Sequence, residues 1–284
     1  NGAVFGAALD KHMKVAHICV TEAETLKKLY GSKYVQSAMQ DIPQQVKARV
    51  DNGEKVLFCG TPCQVAGLKT YLKTDCDNLL TVDFICHGVP SPMMWEKYVA
   101  EQEQMAGSNA AAANFRDKTL GWKQFSLWMQ FDNGKIYSKP IPEDPYLHAF
   151  IMDAALRRSC LDCRVKQTGS MSDITLGDFW GVQKHCPSMA DTQGVSVVLI
   201  NTPDGAAAFD EIAGQTVHEE ISLAVIDKIS PSRCHSTPEV PYRNGFLRSL
   251  AGSGFRRAYK KWLGTSFFAK IRRKAALLKS RSDE

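Results

Sequence analysis

The chain has 284 residues, of which 44% are hydrophobic and 23% are charged, a composition typical of globular proteins. This length allows a sizeable buried core and one large or two modest domains. No segment approaches the run of about eighteen apolar residues that a membrane-spanning helix needs, and the amino terminus lacks the basic and then apolar pattern of a signal peptide.

The positive net charge of +5 belongs to the carboxyl-terminal end of the chain. Eleven Lys/Arg and two acidic residues lie from Phe246 onward, whereas the preceding residues carry 24 basic and 28 acidic residues. This asymmetry predicts a main domain over residues 1–245 and a basic tail over residues 246–284.

Nine cysteines form an odd set without regular disulfide spacing. Without a secretion signal, this pattern favours a reducing compartment and metal or redox roles over a disulfide scaffold. We therefore predict a cytoplasmic protein.

Strand and helix signals alternate from the amino terminus. Residues 4–8 and 15–20 have the pattern of strands. Thr21 to Glu24 has the pattern of a capping box and predicts a helix that ends near Gly31. A second helix is predicted between Asp41 and Gly53.

A strand, a turn and a helix follow without a break. The apolar run 55–59 predicts a buried strand, Thr61 suits a helix N-cap, and Pro62 suits the first position of a helix over 62–72. Cys63 therefore falls in the first helical turn, where the helix dipole favours the thiolate form.

The next apolar run, 79–85, completes a strand, helix and strand order that predicts a parallel crossover. Ligands bind near the carboxyl ends of parallel strands. The sequence therefore predicts that Cys63 and Cys86 lie near the same edge of a sheet. A helix over 93–105 is predicted next.

The second half of the chain begins with a stretch of small residues, 106–113, which predicts a linker. The runs 125–131 and 135–138 flank Asp132-Asn133-Gly134 and predict a β-hairpin. A helix is predicted over 145–158.

Two further strands are predicted, at 173–176 and at the apolar run 194–200, which has the composition of a buried strand. The order of elements indicates an α/β fold, a mixed sheet with flanking helices. A basic helical extension over 246–284 follows it.

Four cysteines lie next to glycines, prolines or predicted helix ends, where their side chains can project into a shared site: Cys63, Cys86, Cys160 and Cys163. Four thiolates suit a tetrahedral zinc ion or an iron–sulfur cluster, and their spacing does not separate the two. A redox pair of Cys59 and Cys63 and a set of inert buried thiols remain alternatives.

Three other segments are candidates for binding or proton transfer. The polar loop 31–37 offers amides, hydroxyls, Lys33 and Tyr34 to a phosphate or a stacked ring, although it also suits a loop whose tyrosine fills the core. His87 can supply or accept a proton. Asp178 lies in a glycine-flanked aromatic segment that suits either a planar ligand or an ordinary aromatic corner.

The tail over 246–284 alternates cations with apolar residues, and Gly264 and Ser266 divide it into two predicted amphipathic helices. Such helices suit an anionic membrane surface or an acidic partner, and the alternative is a helical end that packs on the core. Nucleic acid is not an expected partner, because no recognisable binding module accompanies the charge.

Five motifs occur in order over about residues 1–235: Gly31–Ser37, Gly60–Gln64, Cys86–Gly88, Cys160-x-x-Cys163 and Asp173–Asp178. Together they resemble the coenzyme F420 hydrogenase/dehydrogenase beta-subunit family. Members of that family are flavin and iron–sulfur proteins that exchange electrons with a deazaflavin.

The resemblance implies an FAD and a 4Fe-4S cluster. The implied flavin contacts are Gly31, Ser32, Lys33, Tyr34, Gln36, Ser37, Thr61, Pro62 and Gln64. The implied cluster ligands are Cys63, Cys86, Cys160 and Cys163. Lys33 would stabilise negative charge on the flavin, and His87 or Asp178 would manage protons.

The implied function is that of an oxidoreductase. A hydride-carrying small molecule, a deazaflavin or a nicotinamide, would react at FAD, and the cluster would exchange single electrons with a redox partner protein or ferredoxin. The family often carries an amino-terminal ferredoxin-like segment, and no such cysteine-rich run occurs here. We therefore expect either that this segment was removed with the start of the chain or that a separate protein supplies the electrons. A zinc-stabilised binding module and a thiol–disulfide oxidoreductase remain the alternative hypotheses.

Overall fold

The computed structural model describes residues 2–141 and 143–282, which form an α/β fold. The strands are β1 (Ala3–Leu9), β2 (Val15–Val20), β3 (Val56–Cys59), β4 (Leu79–Phe84), β5 (Ala110–Asp117), β6 (Ser126–Phe131), β7 (Ile136–Pro140), β8 (Ile174–Asp178) and β9 (Ser196–Ile200). In the described residues they form a six-stranded sheet of order β2-β1-β3-β4-β8-β9 and a three-stranded sheet of order β5-β6-β7. The predicted α/β class with a mixed sheet is confirmed.

Helices cover parts of both sheets. They are α1 (Ile42–Asp51), α2 (Pro62–Leu72), α3 (Pro92–Ala106), α4 (Pro145–Ile151), α5 (Arg158–Leu161), α6 (Arg164–Thr168), α7 (Val182–His185), α8 (Pro203–Ala213), α9 (Leu223–Ile229), α10 (Arg243–Ser253), α11 (Phe255–Trp262) and α12 (Phe267–Ser282). Within the described ranges, none of these helices combines the length and the hydrophobicity needed to cross a bilayer.

The centre of the large sheet is parallel. Strands β1, β3, β4 and β8 run in the same direction, and β2 and β9 join its edges antiparallel. The predicted crossover is confirmed, because Val56 pairs with Leu79 and Cys59 pairs with Val82 in parallel register. The turns that follow β3 and β4 therefore open at the same edge of the sheet.

Two hydrophobic clusters hold these layers together. Phe5, Phe58 and Val65 are fully buried between α1, α2 and the strands β1 and β3. A larger cluster around Trp95 and Tyr98 joins α3 to the three-stranded sheet, α4, α10 and α11. Each fully buried side chain of this size contributes about 1.5–3 kcal/mol to folding.

The predicted linker over 106–113 is wrong for most of its length. Ala106 is the last residue of α3, Gly107 ends that helix in the left-handed conformation (φ +69°), and residues 110–113 form the first half of β5. The small side chains of residues 110–113 weakened the sequence pattern that predicts a strand. Pairing with β6 nevertheless satisfies their backbone groups, and Ala110 is buried.

Two predicted helices also differ from the structure. The helix after Thr21 is a 3₁₀ helix, Ala23–Leu29, whose N-cap is Glu22 without a side-chain hydrogen bond, so the predicted capping box does not form. The helix predicted over 145–158 stops at the end of α4, and Asp153 then takes a left-handed conformation (φ +55°).

The hairpin prediction is confirmed by β6 and β7. The run 194–200 has the apolar composition of a buried strand, but β9 is the edge of its sheet. Val198 and Ile200 are 38% and 42% exposed, because they share with Ser196 a face of β9 that is open to solvent, whereas Val197 on the opposite face is buried.

The predicted boundary between residues 245 and 246 lies inside α10. Phe246, Leu250 and Phe255 are fully buried in the larger cluster. The first part of the tail therefore packs on the core. In contrast, Phe267 and Phe268 on α12 are 72% and 74% exposed.

Candidate functional site

The turn between β3 and α2 forms as the sequence predicts. Thr61 is the N-cap of α2, its backbone N–H donates to Gln64 Oε1 at 2.9 Å, and Pro62 occupies the first turn. This capping box satisfies two amide groups at the helix end. It fixes Cys63 in the first turn, where the side chain is exposed.

The four cysteines singled out in the sequence converge in the fold. Burial raises the pKa of Cys86 to about 12. The nearby Lys166 charge lowers this pKa, whereas Cys160, Cys63 and Cys163 raise it further. All three of the other thiols therefore lie within electrostatic reach of Cys86.

Gly88 allows the close approach of two of these segments. Its φ is +153°, and a Cβ at this position would lie 3.4 Å from the Cβ of Cys160 and 3.1 Å from Leu156. The Arg157 N–H donates to the Val89 carbonyl at 2.9 Å, and this hydrogen bond links the same two segments. A larger residue at position 88 would push the two segments apart.

A carboxyl-terminal loop also holds the cysteine-bearing segments. Thr237 Oγ1 donates to the His87 carbonyl at 2.8 Å, and Lys166 Nζ donates to the same carbonyl at 3.3 Å. The Cys163 N–H donates to Ser236 Oγ at 2.8 Å. Sequence reasoning missed Ser236 and Thr237, because a serine and a threonine in a loop carry no local signal of this contact.

The spacing of the thiols bears on what they could hold. No three His, Cys, Asp or Glu side chains within residues 2–141 and 143–282 lie close enough to share one metal ion. A tetrahedral zinc ion with Zn–S bonds of about 2.3 Å needs sulfurs about 3.8 Å apart. A donor set made only of thiolates occurs both in structural zinc sites and in iron–sulfur clusters, so the chemistry of these four side chains fits either group.

The loop 31–37 is bonded both to the segment that follows Cys86 and to α2. The Gln36 N–H donates to the Pro90 carbonyl at 3.2 Å, and the Tyr146 hydroxyl donates to the Tyr34 carbonyl at 2.6 Å. At its end, Ser37 Oγ accepts from Gln64 Nε2 at 3.0 Å. The fold therefore brings together the two loops that the motif resemblance selects.

Buried His17 fixes the direction of the hydrogen bonds at this junction. Burial lowers the pKa of His17, so its ring is neutral. Its Nε2 lies 3.0 Å from the Cys59 carbonyl, which can only accept, so Nε2 carries the proton. Nδ1 therefore accepts from the Ser37 hydroxyl at 2.7 Å.

The same chain of hydrogen bonds reaches a candidate ligand. Thr61 Oγ1 lies 3.2 Å from Cys63 Sγ and 3.1 Å from Gln64 Oε1. When the sulfur is a thiolate it can only accept, so the Thr61 hydroxyl then gives its one proton to the sulfur instead of to Gln64 Oε1. Gln64 still joins the two loops, because its Oε1 accepts from the Thr61 N–H and its Nε2 donates to Ser37 Oγ.

Lys33 and Tyr34 have internal contacts of the kind that the alternative interpretation of the loop expects. Lys33 Nζ donates to the carbonyls of Leu29 and Tyr30 at 2.9 Å each, and burial lowers its pKa to about 8. The Tyr34 ring stacks on Phe150 at 4.6 Å, and burial raises its pKa to about 12. Gly31 and Ser32 of the same loop remain exposed.

His87 has a partner that the sequence did not indicate. Its Nε2 lies 2.6 Å from Asp153 Oδ1, and the ring meets Phe150 edge-on with centroids 5.7 Å apart. The left-handed backbone conformation of Asp153 orients its carboxylate toward His87. A break inside a predicted helix has no strong local signal, which explains why Asp153 was missed.

Asp178 ends β8 and pairs with a residue from the smaller sheet. Its Oδ2 accepts from Arg116 Nη1 at 2.8 Å, and the Arg116 guanidinium lies 4.8 Å from the centroid of the Phe125 ring. The pair thus joins the two sheets near Tyr34 of the loop 31–37, whose pKa both charges affect. Sequence analysis missed Arg116, which lies on a strand without a motif.

The comparison with known families agrees with this arrangement. The family model for the C terminus of the beta subunit of coenzyme F420 hydrogenase/dehydrogenase matches residues 53–225, more than half of the chain. The chain belongs to this family. The resemblance inferred from the motifs is confirmed, and the family is one of oxidoreductase subunits. No curated protein matches the chain.

For this member of the F420 hydrogenase/dehydrogenase beta-subunit family, the matched region includes all four converging cysteines and both proton-transfer candidates, His87 and Asp178. It also includes Arg116 and the turn between β3 and α2. The loop 31–37 precedes the matched region, and its link to the site is made by the hydrogen bonds of Gln36 and Ser37.

Proposed function

We propose that the chain is a flavin- and iron–sulfur-dependent oxidoreductase that moves electrons between a hydride-carrying small molecule and a redox partner protein or ferredoxin. The observation that carries the proposal is the convergence of four thiols next to the loop 31–37. These thiols, on Cys63, Cys86, Cys160 and Cys163, suit a 4Fe-4S cluster. The loops 31–37 and 61–64 suit FAD. When bound, a flavin supplies two-electron hydride chemistry and a cluster supplies one-electron transfer.

Three residues of the chain have defined tasks in this proposal. Lys33 brings a positive charge to the loop, where it favours an anionic group on a bound ligand. In the tautomer of His87 that donates from Nε2 to Asp153, Nδ1 carries the lone pair that general-base action needs. Asp153 thus acts as a positioning residue for the imidazole.

The proposed substrate is a deazaflavin or a nicotinamide, and the proposed location is the cytoplasm. Family membership supports a protein partner, because the family is one of beta subunits. The alternative hypotheses need no flavin: a zinc-stabilised module uses the same four cysteines, and a dithiol redox pair uses Cys59 and Cys63.

Anaerobic reconstitution with FAD, iron and sulfide tests the proposal. We expect flavin absorbance bands and a broad iron–sulfur shoulder, both bleached by NADH, NADPH or a reduced deazaflavin when these are added in turn. A colourless protein that retains one zinc ion would contradict the proposal and support the zinc-stabilised module.

We further propose that α12 contacts an anionic membrane surface. Exposed Phe267, Phe268 and Ile271 lie on a helix that also carries four cations between positions 270 and 274, the pattern of an interfacial helix.

Co-sedimentation with lipid vesicles tests this contact. We expect the chain to bind vesicles that contain phosphatidylglycerol and not vesicles of phosphatidylcholine alone. Phe267→Ser with Phe268→Ser should reduce binding at least about fivefold, because two apolar anchors are lost. Ile136→Ser is the control, since Ile136 is a 63% exposed apolar residue that belongs to β7 and not to α12. Equal binding by the double variant and the unchanged chain would contradict the proposal.

A further inference from the structure

Arg116 has an incomplete set of hydrogen bonds. Nη1 donates to Asp178 at 2.8 Å, and the flat face of the guanidinium covers the Phe125 ring. Its Nε and Nη2 atoms are buried and have no hydrogen-bond partner among the described residues. One edge of the guanidinium therefore lacks an acceptor.

A buried guanidinium edge without an acceptor lowers the stability of the folded protein. A guanidinium carries five N–H donors and cannot lose its charge. Each buried donor left without a partner costs about 1–3 kcal/mol, and more when the group is charged. Surface arginines avoid this cost by pointing into water, but the Arg116 side chain is only 14% exposed.

The neighbours of Arg116 do not supply the acceptor. Phe125 has no acceptor atom, and Asp178 already binds the opposite side through Nη1. The Tyr34 hydroxyl lies beside the guanidinium but does not accept from Nε or Nη2 within hydrogen-bond geometry. Burial dominates and raises the pKa of Tyr34 to about 12, although the Arg116 charge and a hydrogen-bonding interaction with Arg116 act to lower that pKa. Tyr34 thus remains a protonated phenol, a weaker acceptor than an anion.

We propose that the Nε and Nη2 edge of Arg116 binds an oxyanion, a phosphate or carboxylate group, of the ligand that this site takes. Two parallel N–H donors match the two oxygens of such a group. The identity of the ligand rests on the proposed function, whereas the anion site itself does not. The anion comes either from the phosphate of the flavin or from the hydride-carrying substrate.

Asp178 provides a second test of the proposal, because its carboxylate and the proposed anion would bind the same guanidinium. Removing the carboxylate charge should strengthen anion binding, and removing the guanidinium should weaken it. A pair with a purely structural role would not give opposite signs for its two members.

Calorimetric titration of the full chain with inorganic pyrophosphate tests the site. Arg116→Met should weaken binding at least about tenfold, the value of a charged hydrogen bond. Arg116→Lys should lose part of the affinity, since lysine lacks the planar fork. Asp178→Asn should tighten binding. Arg233→Met is the control, because Arg233 also pairs with an aspartate, Asp227 at 2.5 Å, but has no unpartnered buried nitrogen among the described residues.

Two results would overturn the inference. The first is unchanged pyrophosphate affinity in Arg116→Met or, if that variant does not fold, in Arg116→Lys. The second is weaker binding by Asp178→Asn, which would indicate a structural pair.

The source of the anion follows from the affinities for FAD, FMN, riboflavin and NADPH. Loss of FAD and FMN binding by Arg116→Met with retained riboflavin binding assigns the flavin phosphate. Loss of NADPH binding alone assigns the substrate. If the unchanged chain binds pyrophosphate through Arg116 but no flavin, the proposed function fails and the anion site stands.

Discussion

A Cys86→Ser chain reconstituted anaerobically with iron and sulfide is expected to lack the broad iron–sulfur absorbance that the unchanged chain develops. Cys86 is the most buried of the four thiols, as its raised pKa indicates, and all three others influence that pKa. Serine offers a hard, protonated oxygen in place of a soft thiolate, so the donor set is incomplete. Ultraviolet–visible absorbance and iron and sulfide assays measure the loss.

Cys59→Ser is the matched control for this result. Cys59 lies on β3, four residues before Cys63, and burial raises its thiol pKa. Its backbone carbonyl accepts from His17, whereas its thiol has no hydrogen bond to another described residue of the site. We expect this variant to load the cluster normally. Loss of activity in Cys59→Ser, with normal loading in Cys86→Ser, would instead support the dithiol redox pair.

Gly205→Ala is expected to lower the free energy of unfolding by about 1–3 kcal/mol, the usual cost of overpacking. Gly205 is buried in the first turn of α8, and a Cβ there would clash with the backbone oxygen of Asp173 at the start of β8. That oxygen is held in place, because it accepts from the Asn201 N–H at 2.9 Å. Urea unfolding measures the change as a lower midpoint at constant slope. Equal stability of this variant and the unchanged chain would contradict the prediction.

Gly67→Ala is expected to raise the stability of the chain, in contrast to Gly205→Ala, although both glycines lie in helices. Gly67 lies within α2, and a Cβ there would meet no atom within 4 Å. Alanine in a helix interior should stabilise the chain by about 0.5–1 kcal/mol, because glycine loses more backbone entropy on folding. The same urea experiment should show a higher midpoint for this variant, and a lower midpoint would contradict the prediction.

The elements predicted best are those whose signals are local. The turn from β3 into α2 is specified by Thr61, Pro62 and Gln64, which lie within four residues of each other and satisfy the helix end themselves. The hairpin of β6 and β7 is specified by Asp132-Asn133-Gly134 in the same way. Interactions over a few residues need no knowledge of the rest of the fold.

The predictions that are wrong concern segments whose structure is set by tertiary packing and not by the conformational preferences of the local sequence. Alanine is a poor strand former, yet residues 110–113 join β5 because β6 pairs with them. The tail has an amphipathic pattern that suits a membrane surface along its whole length. Burial of Phe246, Leu250 and Phe255 in the main core limits the exposed apolar face to α12.

Hydrophobic period and capping residues act over short distances, and they were sufficient to predict the α/β class, the parallel crossover and the four cysteines at turns and helix ends. The folded chain was needed to show that Cys160 and Cys163 come within electrostatic reach of Cys86, that Asp153 binds His87, and that Arg116 binds Asp178 while its Nε and Nη2 find no partner in the described part of the chain. These contacts join residues more than sixty positions apart, and the packing of two sheets sets them.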